Sequence, residues 1–436
     1  MITAKAFAGK QYAVYGLARS GLATVRSLLA SGASVTAWDE KPTAREACQS
    51  DDHHGAGHRL VVANLDEFAN LRNFDSIIVT PGLPLNRHPM AERAREAGVE
   101  IIGDIELFAR ARPELAPHKV VGITGTNGKS TTTALVHHIL KTAGVPATMG
   151  GNIGLPILAQ DPLPEGGVYV LELSSYQIDL TQSLDCDVAV LLNITPDHLD
   201  RYESFEAYAA SKWRLFQMQA AEHCSLYEGQ SPPGFLGLEE QENWVAYFSD
   251  IVVRPDDQAE WPALQGPHNL ENAKAAVAVC IALELMPVSL MFKALRTYPG
   301  LPHRMERIRE KDGVLFVNDS KATNPTATAP ALAAFERIRW ICGGQAKTGN
   351  LDECAPHFGH VRAAYVIGEA GELFEQLLKP HVAVKNCGKL DVAVREAAAD
   401  AEAGDTVLLS PACASFDQFH DFEDRGDQFR AYVGAL

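Results

Sequence analysis

The residues best suited to chemistry are a lysine set among glycines and acids that close apolar runs. Residues 120–133 read VVGITGTNGKSTTT, an apolar run, a glycine-rich turn and a helical pattern that continues through Ala134, Leu135 and Ile139. Such a turn aims successive backbone N–H groups and a helix N-terminus at an anion. Lys129 would reach the outer phosphates of a nucleotide, and the Ser130 hydroxyl would coordinate Mg²⁺. The strict G-x-x-x-x-G-K-[ST] pattern wants glycine at 123, where this chain has Ile123 between Gly122 and Gly125. A glycine-rich cap explains the glycines but not Gly128-Lys129-Ser130 between a strand and a helix.

Glu172, in Leu171-Glu172-Leu173-Ser174-Ser175-Tyr176-Gln177, ends a second apolar run. A charge there needs a partner, and parallel sheets bind ligands at the carboxyl ends of their strands. A Mg²⁺ ligand is one reading; a helix-capping or surface glutamate is equally consistent. Asn193-Ile194-Thr195-Pro196-Asp197-His198-Leu199-Asp200-Arg201-Tyr202 closes a third run. Alone, His198 reads as a hydrogen-bonded structural histidine, and Asp197 and Asp200 as helix-start residues.

The elements that must position these residues alternate. Strands at 12–15, 34–38 and 76–80 and a helix at 21–30 give βαβ order, hence a parallel sheet covered by helices. Strands at 120–124, 168–173 and 188–194 and a helix at 269–285 form a second block. A third has strands at 314–317, 339–342, 364–367 and 406–409, with a helix after Asn324. The chain of 436 residues therefore reads as three α/β domains, at 1–98, 99–300 and 301–436. A net charge of −17 disfavours nucleic acid and acidic membranes. No apolar run is long enough to span a membrane, and the N-terminus lacks the regions of a signal peptide. The eight cysteines are scattered without a C-x-x-C pair, which argues against a zinc ribbon or disulfide framework and for the cytoplasm.

Thr124-Gly125-Thr126-Asn127-Gly128-Lys129-Ser130-Thr131 resembles the phosphate loop of the Mur ligase family, which builds the peptide of bacterial cell-wall precursors and whose loop also departs from the strict pattern at the position of Ile123. The resemblance implies ATP contacts from Gly125, Thr126, Asn127, Gly128, Lys129, Ser130 and Thr131, with Glu172 as a Mg²⁺ ligand. The segment around His198 resembles the family's N-x-T-x-D-H-x-D motif, whose histidine serves a second Mg²⁺ and the substrate carboxylate. Lys212 alone reads as a solvated helix lysine, but its spacing after His198 resembles that of the family's carbamylated lysine. There CO₂ adds to a neutral amine and makes a metal-binding carboxylate. Gly151-Asn152-Ile153-Gly154 is similar to a loop whose asparagine contacts the acceptor substrate. In His268-Asn269-Leu270-Glu271-Asn272-Ala273, Asn269 alone reads as a helix N-cap; the resemblance gives Asn272 to adenine and Arg304 to ATP at a hinge.

Asp319-Ser320-Lys321-Ala322-Thr323-Asn324 is similar to the family's D-glutamate-adding branch, where the aspartate and lysine serve the nucleotide and the transferring phosphate. The acceptor pocket then falls on Thr323, Lys347, Ser415 and the turn at Phe422. A dicarboxylate needs donors at both ends, and a lysine flanked by hydroxyls supplies them. Alone, Thr323 and Ser415 fit helix N-caps and Lys347 a surface loop. In Gly16-Leu17-Ala18-Arg19-Ser20-Gly21, Ala18 replaces the middle glycine of G-x-G-x-x-G, which weakens a nicotinamide reading. The loop resembles a site for the uridine diphosphate end of the substrate, through Arg19 and Ser20, with Asp39, Lys41, Thr80 and Gly82 as further contacts.

The resemblance thus implies an ATP-dependent ligase with two Mg²⁺ ions, acting through an acyl phosphate on UDP-N-acetylmuramoyl-L-alanine and D-glutamate. A monomer is expected, whose third domain closes on ATP about residues 300–304. Alternatives are another amino-acid-adding ligase, folylpolyglutamate synthase included, and a nicotinamide-dependent dehydrogenase. A non-catalytic nucleotide sensor would leave the metal and acceptor residues unexplained.

Overall fold

The structure is a computed structural model that describes residues 1–51, 59–197, 201–228, 244–247, 251–253 and 255–436. His198 and Asp200 lie outside the described residues.

Short apolar runs form three sheets, each with helices interleaved along the chain. The first sheet contains β1 (Gln11–Tyr15), β2 (Ser34–Trp38), β3 (Leu60–Val62), β4 (Ser76–Val79) and β5 (Ile101–Ile102), in the order β3-β2-β1-β4-β5. All its pairs are parallel, and every residue of β4 is buried, as a sheet covered on both faces requires. The strand order reverses between β1 and β4, which opens a crevice at their carboxyl ends. Because β5 pairs with β4, the cut expected at position 98 falls inside this sheet; a two-residue strand has no sequence signature.

The second sheet contains β6 (His118–Thr124), β7 (Ala147–Gly151), β8 (Gly167–Glu172), β9 (Val188–Leu191), β10 (Cys224–Tyr227) and β11 (Trp244–Ala246). Its order is β11-β10-β9-β6-β8-β7, parallel throughout. Register sets Ile123 opposite Glu172 and Thr124 opposite Leu191, so three loops leave side by side. The strand expected to reach 194 stops at Leu191, because the chain turns to brace the loop after β6. Leu192 N donates to Thr124 O, and Asn193 O accepts from Thr126 N.

The third sheet contains β12 (Glu306–Lys311), β13 (Val314–Asn318), β14 (Ile338–Gly343), β15 (Val361–Ile367), β16 (Ala383–Gly388) and β17 (Thr406–Leu409), in the order β12-β13-β17-β14-β15-β16. Only β12 is antiparallel to its neighbour. The chain divides into two compact units, 1–252 with 271–294, and 253–270 with 295–436. The first two sheets thus share a unit, and one buried cluster joins Val14, Leu28 and Phe108 to Val120, Leu171 and Trp213. No helix among the described residues is long and apolar enough to cross a membrane.

Candidate active site

The loop after β6 enters the helix Lys129–Thr142 through Gly128, its N-cap, at φ 85°. Glycine is required there on two counts: the left-handed backbone disfavours a side chain, and a Cβ would meet Asn272 Oδ1 at 2.3 Å. Asn193 Oδ1 accepts from Asn127 N at 2.9 Å and pins the loop. Lys129 Nζ donates to the carbonyls of Gly125 and Thr126, both at 2.8 Å. Ser130 is buried in the first turn, Thr131 half-buried, and the Thr132 hydroxyl donates to Asn272 Oδ1 at 3.3 Å. Asn272 therefore packs against the phosphate loop's helix. Asn269, by contrast, is no N-cap, because the helix Pro267–Leu283 has already begun; its side-chain amide donates to Gln265 O at 3.0 Å.

Glu172, 2% exposed, ends β8 beside this loop. Its Oε1 accepts from the Asn152 amide at 2.9 Å. Its Oε2 is buried without a hydrogen-bond partner, as are Thr124 Oγ1 and Thr133 Oγ1. A buried carboxylate oxygen left unpaired is costly, and a hard cation would satisfy it. Among the described residues no three acidic, histidine or cysteine side chains form a metal cage. Mg²⁺ takes one or two carboxylates and completes its shell from phosphate oxygens and water; Glu172, with its unpaired oxygen, and Ser130 are the residues that fit.

Lys212 is not a solvated lysine. It lies on the helix Phe205–Gln217, capped by Ser204, and is 2% exposed. Its Nζ donates to Gly125 O at 2.9 Å and lies 4.7 Å from the centre of the Tyr208 ring. Burial, then the nearby Lys129 charge, pushes the ammonium down to about 7. That shift favours the neutral amine, the form able to attack CO₂, far more than in a solvated lysine. The Tyr208 hydroxyl lies 3.2 Å from Thr126 Oγ1 and braces the same loop.

At the first sheet's crevice, Asp39 Oδ2 accepts from Leu17 N at 2.7 Å and its Oδ1 from Lys41 N at 2.8 Å. Asp39 thereby ties the loop after β1 to the loop after β2. A Cβ on Gly16 would meet Thr80 Oγ1 at 2.4 Å, so the Thr80 loop packs on the same turn. Ser20 lies in the first turn of the helix Arg19–Ala30, and Arg19 donates to Gly154 O at 2.8 Å, linking this crevice to the 151–154 loop of the second sheet. Lys41 and Gly82 are exposed.

In the second unit, Asp319 follows β13. Its Oδ2 accepts from Ser410 Oγ at 2.8 Å and its Oδ1 from Met305 N at 3.2 Å. Burial raises its carboxyl to about 7. Arg304 sits in a turn that bridges to Leu301, with His303 at φ 61° and Met305 at φ 48°. Lys321 Nζ lies 3.7 Å from the centre of the Phe422 ring, and Lys347 Nζ donates to Thr323 Oγ1 at 3.4 Å. The Lys347 loop joins the Ser415 loop through paired bonds between Gln345 and Ala414. The caps read for Thr323 and Ser415 belong instead to Asn324 and Asp421, whose side chains accept from Ala327 N and Asp424 N.

Sequence reasoning gave no role to Tyr208, Arg201 or Arg425. Arg425 is fully buried and donates to Ser320 Oγ, Ser320 O and Cys413 O, stitching the Asp319 and Ser415 loops together. Its place three residues after Phe422 is the only signal the sequence offers.

Parallel sheets, a glycine-framed lysine loop on a helix N-terminus and an unsatisfied glutamate beside it define a nucleotide-dependent α/β enzyme of phosphate chemistry. The profile of the Mur ligase MurD-like N-terminal domain matches residues 10–103, the Mur ligase middle domain 123–250, and the Mur ligase glutamate ligase domain 303–413. The chain belongs to the Mur ligase family. It is 59% identical to the UDP-N-acetylmuramoylalanine--D-glutamate ligase of Novosphingobium aromaticivorans, over 100% of this chain and 97% of that one. With the enzyme of the same name from Sphingopyxis alaskensis it shares 55% over the full length of both. Among solved structures, the MurF ligase from Thermotoga maritima in complex with ADP shares the fold at TM-score 0.58 and 16% identity, covering 99% of this chain and 97% of that one.

Proposed function

We propose that this chain joins the amine of D-glutamate to the terminal carboxylate of UDP-N-acetylmuramoyl-L-alanine, converting ATP to ADP and phosphate. Relatives at 53–59% identity over the whole chain carry that activity in their names. The observation that carries the chemistry is the meeting of Lys129, Lys212 and the loop carbonyl of Gly125 next to the unpaired oxygen of Glu172.

In this reading the substrate carboxylate attacks the γ-phosphorus and ADP leaves, giving an acyl phosphate. The amine of D-glutamate then displaces phosphate and forms the amide. Lys129 leaves the loop carbonyls to meet the phosphate oxygens, and the loop N–H groups hold them. Glu172 and Ser130 would hold Mg²⁺, with Lys212, as a carbamate, and His198 for a second ion; when bound, the metal would neutralise charge on the transferring phosphate. Asn272, Arg304, Asp319 and Lys321 serve the nucleotide. Arg19, Ser20, Asp39, Lys41, Thr80, Gly82 and Asn152 serve the UDP-linked substrate, and Thr323, Lys347, Ser415 and Phe422 the glutamate. No protein nucleophile is needed, so placement and exclusion of water from the acyl phosphate do the work. Free cysteines, all but Cys387 of them buried, fit a cytoplasmic enzyme.

The test offers D-glutamate, L-glutamate, L-alanine and meso-diaminopimelate with the UDP-linked substrate and ATP, and reads phosphate release. D-glutamate should dominate; preference for another amino acid defeats the assignment.

A further inference from the structure

Arg201 precedes Tyr202 in the second sheet's loops, yet it reaches the first sheet. Its guanidinium donates to Leu83 O at 2.9 Å and to Gly82 O at 3.4 Å, two carbonyls of the turn that begins at Thr80. The same group lies 4.4 Å from the centre of the Tyr176 ring. Tyr176 stacks on Tyr202, with centroids 6.0 Å apart and planes 12° from parallel. Tyr202 meets Tyr208 at 5.4 Å, and its hydroxyl donates to Asp179 Oδ2 at 2.8 Å, which fixes the ring. Tyr208 ends the row against Thr126 and Lys212. A continuous line of contacts therefore joins the 80–83 turn to the phosphate loop.

Two carbonyl contacts and an aromatic face together fix the plane of a guanidinium, which a lysine's single ammonium cannot reproduce. Within the first sheet the turn is held by Thr80 beside Gly16 and by Leu83 against the core; the exposed Gly82 has no such packing, and Arg201 ties its carbonyl to the second sheet's loops.

We propose that Arg201 is a positioning residue, which sets the 80–83 turn against the phosphate-loop domain so that the UDP-linked substrate is held in register with the nucleotide. The inference rests on the proposed function, in which Thr80 and Gly82 meet that substrate. Tyr176 acts through Arg201, as the platform that orients it.

Steady-state kinetics on Arg201→Ala, Arg201→Lys, Tyr176→Leu and the Arg201→Ala/Tyr176→Leu pair test this. Loss of charged hydrogen bonds should raise KM for the UDP-linked substrate about tenfold in Arg201→Ala, with KM for ATP and saturated turnover changing less than about twofold. Arg201→Lys should recover part of that loss. The pair should be no worse than Arg201→Ala alone, because the two residues form one unit. An unmoved substrate KM, an equal rise in KM for ATP, or additive effects in the pair each overturn the inference. If Arg201→Ala does not fold, Arg201→Lys and Tyr176→Leu carry the same comparison. A wild type inactive on this substrate sinks the functional reading and the inference with it; an active wild type with silent variants sinks the inference alone.

Discussion

At the scale of one residue, burial moves the charge of Lys212 far from its ordinary state. With its amine pushed to about 7 from an ordinary 10.5, the folded metal-free chain has released a proton that the unfolded chain still binds between those values. Stability rises with pH wherever the unfolded state holds more protons. Between about 7 and 10.5, then, the metal-free protein should gain stability as pH rises, and Lys212→Met should flatten that slope in urea titrations. Identical slopes in the two proteins would show that the amine titrates as in water. The functional arm uses Lys212→Ala, which should lose most turnover and recover part of it with a short carboxylic acid that replaces the missing carboxylate. Full activity without the acid would remove Lys212 from the site. In sequence this lysine had only its spacing after His198; the burial that lowers its pKa comes from packing between Tyr208 and the phosphate loop.

The helix Lys129–Thr142 carries glycines in the left-handed region at both ends, Gly128 at φ 85° and Gly144 at φ 78°. Alanine at either position pays the backbone penalty of about 1–2 kcal/mol. Only at Gly128 does the new Cβ also strike Asn272; at Gly144 nothing lies within 4 Å. Gly128→Ala should therefore raise Kd for ATP about tenfold or more, and Gly144→Ala should lower the melting temperature yet leave Kd within about twofold. Equal effects on Kd would mean that helix stability, not loop shape, governs binding. This strand-loop-helix element was legible because an apolar run, positive-φ glycines and a helical pattern all point the same way. The edge strands were not. β12 (ERIREK) is mostly charged and β16 (AVKNCG) mixed in character; neither has a buried residue and both pair on one side only, so they carry no core-facing signal. Nor was the Arg201–Tyr176 contact, which joins residues distant in the chain through tertiary packing alone.

At the scale of the molecule, three sheets do not make three independently stable bodies. The first two share a buried cluster, and Glu106, 1% exposed, clamps them. Its carboxylate accepts from Gln182 N at 2.7 Å, Ser183 N at 2.9 Å, Ser183 Oγ at 2.8 Å and Arg110 Nε at 2.9 Å. Arg110 also forks onto Glu100, whose Oε1 accepts from Ser76 Oγ in β4 at 2.6 Å. Bonds thus run unbroken from the first sheet to the segment that leads into β9, while the third sheet has clusters of its own. Calorimetry should resolve no more than two unfolding transitions. Glu106→Gln keeps the shape but loses the charge that strengthens four hydrogen bonds, a loss of about 2 kcal/mol or more. It should move one transition down by several degrees and leave the other in place. A third resolved transition in the wild type would mean that the first two sheets melt separately, and that their common core does not bind them into one cooperative body.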